Sequence, residues 1–441
     1  MSITYRRPAS PSQTIAQLSI GIVSILLFSR PAASHPDSRA CDELPRDAFR
    51  GARHLHGGPH KPHRHRGHHH HRQEPPPPPP MNPGIPGIDS LANFDVSFTA
   101  PGFAADGSSQ SSWTMNLVGG PPELGGTTVV NAPVVPVSID LLDVDGTVRV
   151  SNGALLHSDV TPFVQPTLQS PLFQTATYSS SSVPTQFIDA IQRAQFFNNA
   201  PADWHTWLAP VVRPARTLAI PFGSYRFALK PDGTCCSFIA VDSQVFESLF
   251  FPTDPADVTT PVGAAENAGD ITPRDLGIFL LPDTFLTVNG RCCILGFHTY
   301  DAEVGDASNG NQENRYVVAV STWISPGLLS GVEDISALSH ELSEAVNDPF
   351  VGTDSVHNIT PFWQEPSGAC QNKNEIADVV EDLPNAVFPL AMPDATYHMQ
   401  NTALLSWFQP GQPSSAIDAA FSYPDETLLT APTPLLSPVC Q

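Results

Sequence analysis

His340, Glu341 and Glu344 are the residues whose types and spacing best suit joint chemistry. They form His340-Glu341-x-x-Glu344, a relative of HExxH in which a carboxylate replaces the second imidazole. On a helix, His340 and Glu344 stand one turn apart on the same face, so one metal ion can touch both. Glu341 lies one residue round, where a metalloprotease-type helix carries its general base. Zinc accepts carboxylate oxygen, and a catalytic zinc needs three protein ligands and one open position for water. A third ligand must therefore come from elsewhere. Asn374-Glu375-Ile376-Ala377-Asp378 follows after a loop long enough to fold back, which makes Glu375 the first choice and Asp378 the second. Glu365 and His357 are weaker candidates. A set this rich in carboxylate also admits another divalent metal, such as calcium or manganese. The competing reading is a solvent-facing polar helix surface that needs no metal.

The element that must carry these residues spans 333–347. It opens on acidic residues, ends before Pro349 and repeats Ile335, Leu338, Leu342, Ala345 and Val346 at helical spacing. Upstream, strand-like runs fall at 134–142, 235–241, 278–281, 292–298 and 316–323, with helices at 185–197 and 245–251 and a helical segment near 402–408. Much of the rest of the first half reads as long loops. Strands leading into a charged helix give an α+β expectation, a mixed sheet with one active-site helix. His298, in an apolar strand, reads as a core histidine, and His398 beside Tyr397 as packing near the cleft.

Charge is unevenly distributed. Residues 1–80 hold 11 of the 21 basic groups and 5 of the 43 acidic ones, so residues 81–441 carry 10 against 38, net −28. So acidic a surface repels nucleic acid and anionic membranes, which excludes both as expected partners. Arg6 and Arg7, a short apolar run at 18–28 and small residues at 32–34 have the pattern of a secretory signal over 1–34. No later run is long enough to span a bilayer. Residues 35–87 alternate histidine with Gly, Pro and Arg and end in Pro75 to Pro80, a disordered tether whose clustered imidazoles suit loose metal binding. The folded domain is expected over 88–441. Seven cysteines without a CxxC pair argue against a zinc ribbon and for disulfides outside the cytoplasm. In the doublets Cys235-Cys236 and Cys292-Cys293, alternation along a strand would send neighbours to opposite faces, with one member free to pair across a sheet.

Beyond these patterns, Ser339-His340-Glu341-Leu-x-Glu344-Ala-x-x-Asp348-Pro349, Glu375-Ile-Ala-Asp378 and Tyr397-His398-x-Gln400-x-x-Ala403-Leu-Leu-x-Trp407-Phe408 resemble a family of secreted, zincin-like microbial proteins. Gly296-Phe297-His298-Thr299, Ser170-Pro171-Leu-Phe173 and Gln186-Phe-x-Asp189-Ala190-x-x-Arg193-Ala194 are similar to further segments of it. The Exordium-like phosphate-induced proteins of plants look like a more distant branch. The resemblance spans residues 130 to 410 in patches. It implies a zinc-peptidase-like fold with His340 and Glu344 as ligands and Glu341 as base. That family places a cysteine just after its E-I-A-D, where this chain has Val379 and Val380, and Cys370 upstream is the cysteine placed to anchor the loop instead. The expected function is thus a secreted zinc-dependent hydrolase acting on extracellular protein or peptide. Two alternatives are a non-catalytic extracellular or cell-wall binding protein and a metal scavenger built on the tether.

Overall fold

The computed structural model describes residues 21–22, 91–103, 108–179, 182–305, 311, 313–351, 357–365, 368 and 370–435. The expected tether lies outside the described residues, as do Cys41, Cys440 and all of the expected signal segment except Gly21 and Ile22. No helix among the described residues is long and apolar enough to cross a membrane.

The chain opens with a hairpin, β1 (Asn93–Phe103) and β2 (Ser109–Val118), followed by the long strand β3 (Thr127–Leu141). Two helices follow, α1 (Thr161–Leu168) and α2 (Phe187–Gln195), and then β4 (His205–Val212), β5 (Arg216–Ile220), β6 (Tyr225–Leu229) and β7 (Cys235–Asp242). Helices α3 (Ser243–Phe250) and α4 (Pro261–Asn267) precede β8 (Leu276–Pro282), β9 (Thr284–Val288) and β10 (Arg291–Ile294). Next come β11 (Gly296–Glu303), β12 (Asn314–Leu329), β13 (Val332–Asp334) and α5 (Ser336–Asn347). The last longer strands pair as hairpins, β14 (Ile359–Gln364) with β15 (Cys370–Lys373) and β16 (Val387–Ala391) with β17 (Thr396–Gln400).

The centre is a curled, nine-stranded sheet. β8 lies between β12 and β3, parallel to both, and β3 also pairs in parallel with β4 and β5. β11 runs antiparallel to β12 towards the edge, where Gly21–Ile22 adds a short antiparallel pairing. Strands covered on both faces should read as unbroken apolar runs, and β8, Leu-Gly-Ile-Phe-Leu-Leu-Pro, is buried throughout. Successive residues feed opposite cores. Ile278, Leu280, Val317 and Ala319 pack with α2 and α5, while Phe279, Leu281, Val318 and Val320 pack with α3 and α4.

This architecture overturns the α+β expectation. Among the described residues strand accounts for 43% and helix for 17%, with five α-helices, a largely β architecture. The reason lies in stretches read as loops. Residues 93–118 and 205–229 are hairpins and edge strands, where polar residues and prolines such as Pro210 are tolerated. The expected helix at 402–408 is a two-residue strand followed by a single 3₁₀ turn, Leu405–Phe408. The cysteine doublets also differ from expectation. Each pairs with itself, Cys235 with Cys236 and Cys292 with Cys293. Strand alternation therefore does not hold at either doublet, and both Cys–Cys peptides are cis.

Candidate metal centre

α5 is buried along its whole length, which removes the solvent-facing reading of its polar side. Its composition makes that tolerable. The Ser339 hydroxyl donates to the Ser336 carbonyl and accepts from the Gln400 amide, and Ser343 donates to the carbonyls of Ser339 and His340. At the helix end Asn374 Nδ2 donates to the Asn347 carbonyl at 2.9 Å. Ser339 and Ser343 thus satisfy themselves locally, and the buried ionisable groups of His340, Glu341 and Glu344 remain to be explained.

Glu344 is held from one side. Its Oε1 accepts from the backbone amides of Ala377 and Asp378 at 3.0 and 3.1 Å, which straps the 374–378 segment onto α5. Its Oε2 lies 3.1 Å from His340 Nε2, and Asp378 Oδ1 lies 3.3 Å from the same nitrogen. His340 Nε2 and Glu344 Oε2 nevertheless fall outside hydrogen-bond geometry with any partner. Ligands on a tetrahedral ion with bonds of about 2.0–2.2 Å stand about 3.3–3.6 Å apart, close to these separations. Gln371 Nε2 steadies the other Asp378 oxygen, Oδ2, at 3.3 Å. One departure from common metal sites is that His340 Nδ1 also has no hydrogen-bond partner.

His298 enters from β11. Its Nδ1 lies 3.7 Å from Glu341 Oε2 and 3.6 Å from Glu344 Oε2, and its Nε2 lies 3.8 Å from Glu375 Oε2. Three overlapping donor sets result: His340, Glu344 and Asp378; His298, Glu341 and Glu344; and His298, Asp348 and Glu375. These buried groups could hold a metal ion. Of the residues singled out in the sequence, Asp378 joins His340 and Glu344, while Glu375 turns instead towards His298 and Asp348. Glu341 packs against Gly296, where an added Cβ would meet its Cγ at 2.7 Å. His357 stands apart, 3.4 Å from Asp95 Oδ2, and Glu365 is buried outside the three sets. His398 holds Asp334 at 2.7 Å. His298 and Asp348 were missed. Asp348 had a signal, because positions 340, 344 and 348 repeat at one-turn intervals.

The electrostatics describe a site short of positive charge. Burial pushes the carboxyls of Glu341 and Glu375 well above 4.5, and neighbouring carboxylates add to both shifts. Burial works to lower His340, yet Glu344 and Asp378 raise it well above 6.5. Burial also works to raise Glu344, but His340 and the Asp378 amide bring it below 4.5. Burial carries His298 down to about 4, so its ring is neutral and its lone pair free for coordination. Clustered carboxylates buried this deeply stay ionised only with counter-charge, which a divalent cation would supply. The donor set, imidazole with carboxylates, fits a divalent ion of borderline softness.

Compared with models of known families, curated proteins and solved structures, the chain matches none.

Proposed function

We propose that the protein is a secreted, metal-dependent hydrolase, most simply a zinc peptidase acting on extracellular protein or peptide. The observation that carries this reading is the convergence of His340 Nε2, Glu344 Oε2 and Asp378 Oδ1 at 3.1–3.3 Å, with the carboxylate of Glu341 beside them. The resemblance to secreted HExxE proteins and the signal-like start of the chain support it as well. His340, Glu344 and Asp378 would hold the ion, which when bound supplies Lewis acidity and lowers the pKa of a coordinated water. Glu341 takes the proton from the attacking water and returns it to the leaving group. The two amides on Glu344 Oε1 keep its other oxygen turned towards His340. His298 Nδ1 faces Glu341 Oε2 at 3.7 Å, close enough to influence its charge but too far to bond it.

Total burial favours a second reading. His340 and Glu341 are 0% exposed, as a non-catalytic extracellular or cell-wall binding protein with a structural ion would have them. The two readings part on Glu341→Gln. Hydrolysis of a denatured protein substrate is expected to fall by about 10²-fold or more in this variant, at unchanged metal content. A wild-type protein that carries metal and cleaves nothing, or a variant as active as wild type, would favour the binding protein.

A further inference from the structure

β11 presents different chemistry on its two faces. His298 points towards α5, whereas Phe297 packs on Phe246 and Phe251 across the sheet. Asp301 and Glu303 follow Phe297 by four and six residues, both even offsets, and so lie on that same second side. There they meet Glu266, on the last turn of α4. Each of the three residues offers a carboxylate oxygen, and these atoms lie within 4.8 Å of one another.

Three carboxylates on a surface need no explanation, but two of these are buried and the third is half-buried. Asp301 is 4% exposed and Glu266 8%. Both oxygens of Glu266 are buried and no N–H or hydroxyl group among the described residues donates to them; the one polar group against them is the Asp301 carboxyl. Nor do the described residues supply a compensating charge. Among the described residues no lysine, arginine or histidine forms an ion pair with Glu266, Asp301 or Glu303. Arg216, whose guanidinium reaches the α4 carbonyl of Ala264, is committed to Asp270. The neutral donor at hand is Tyr316, whose hydroxyl lies 3.3 Å from Glu303 Oε2. Placing Glu266 on the last turn of a helix is itself unfavourable for an uncompensated negative charge.

We propose that Glu266, Asp301 and Glu303 form a second cation site, distinct from the centre on α5 and selective for a hard divalent ion, calcium foremost. The donors are all oxygen, which suits calcium, magnesium or manganese and gives zinc no nitrogen or sulfur. Calcium–oxygen bonds of about 2.3–2.6 Å place ligand atoms up to about 5 Å apart, which accommodates the observed spread. Magnesium demands a tighter octahedron and gives up its water reluctantly. Glu303 is only partly buried, which leaves a side on which water completes an irregular calcium shell. The ion would tie α4 to the strand that carries His298, so loading of this site would stiffen one wall of the centre on α5. The competing arrangement is a carboxylic acid pair, Glu266 sharing a proton with Asp301, in which no cation binds.

Calcium binding to the full-length protein, measured by equilibrium dialysis at neutral pH after chelation, separates the two. Calcium is a suitable probe because the imidazoles of the tether compete poorly for a hard ion. Wild type and Asp378→Asn are expected to bind about one calcium per chain, and the near-isosteric Glu266→Gln and Glu303→Gln variants to lose it. Calcium should raise the melting temperature of the first two proteins and leave the last two unmoved. Wild type that binds no calcium overturns the proposal, as does binding that survives Glu266→Gln and Glu303→Gln. Loss in Asp378→Asn alone overturns it as well, because the ion then belongs to the centre on α5.

Discussion

Glu344 does two jobs with two oxygens, and substitution separates them. Oε1 accepts the amides of Ala377 and Asp378, and Oε2 faces His340. Glu344→Ala removes both functions and leaves two buried amides without an acceptor. Each orphaned amide costs about 1–3 kcal/mol, so the variant should lose about 2–6 kcal/mol in the presence of chelator, where no metal contributes. Glu344→Gln keeps a carbonyl oxygen for the two amides and removes a negative charge from a crowded buried site. It is expected within about 1 kcal/mol of wild type under the same conditions. The assay is urea unfolding in chelator, followed by tryptophan fluorescence. Trp363 is a suitable reporter, since its indole N–H donates to the Lys373 carbonyl at the start of the strapped segment. Equal stability of the alanine and glutamine variants would refute the view that Glu344 straps 374–378 to α5.

Two further outcomes follow from buried positions. Gly296→Ala places a Cβ 2.7 Å from Glu341 Cγ and 2.9 Å from the Val320 carbonyl. Overpacking of this kind costs about 1–3 kcal/mol; a calorimetric melting temperature unchanged from wild type would contradict the close approach. Asp283 supplies a pH test away from the metal centre. Burial pushes its carboxyl from 3.8 up to about 6, against hydrogen bonds from the amide and hydroxyl of Ser325. Between those values the folded chain holds a proton that the unfolded chain has released, so stability falls as pH rises, by about 3 kcal/mol in all. Asp283→Asn should remove that part of the slope in urea midpoints measured from acid to neutral pH, and an identical slope in both proteins would count against it.

The chemistry was legible where spacing alone decides it. The interval from His340 to Glu344 is one helical turn, and a helix at that place brings the two side chains together whatever surrounds it. The choice between Glu375 and Asp378 was not legible. It depends on how the chain wraps Glu344 with the amides of residues 377 and 378, a tertiary contact without a local signature. His298 was hidden for a related reason. In an apolar strand a histidine reads as core, and it becomes a neighbour of Glu341 and Glu344 only because β11 pairs with β12 across from α5. The largely β architecture was obscured by polar hairpins. In β1 the alternation of Phe94, Val96 and Phe98 was present, but proline and glycine further along gave it the look of a loop.

The central claim is that His340, Glu344 and Asp378 hold one divalent ion between them. Zinc content of the full-length protein tests it most directly, after an imidazole wash that strips weakly held ions from the histidine-rich tether. Wild type should retain about one zinc per chain, and Glu344→Gln and Asp378→Asn, folded and washed in the same way, should retain none. Equal zinc in all three proteins, or none in wild type after folding with metal present, would contradict the account.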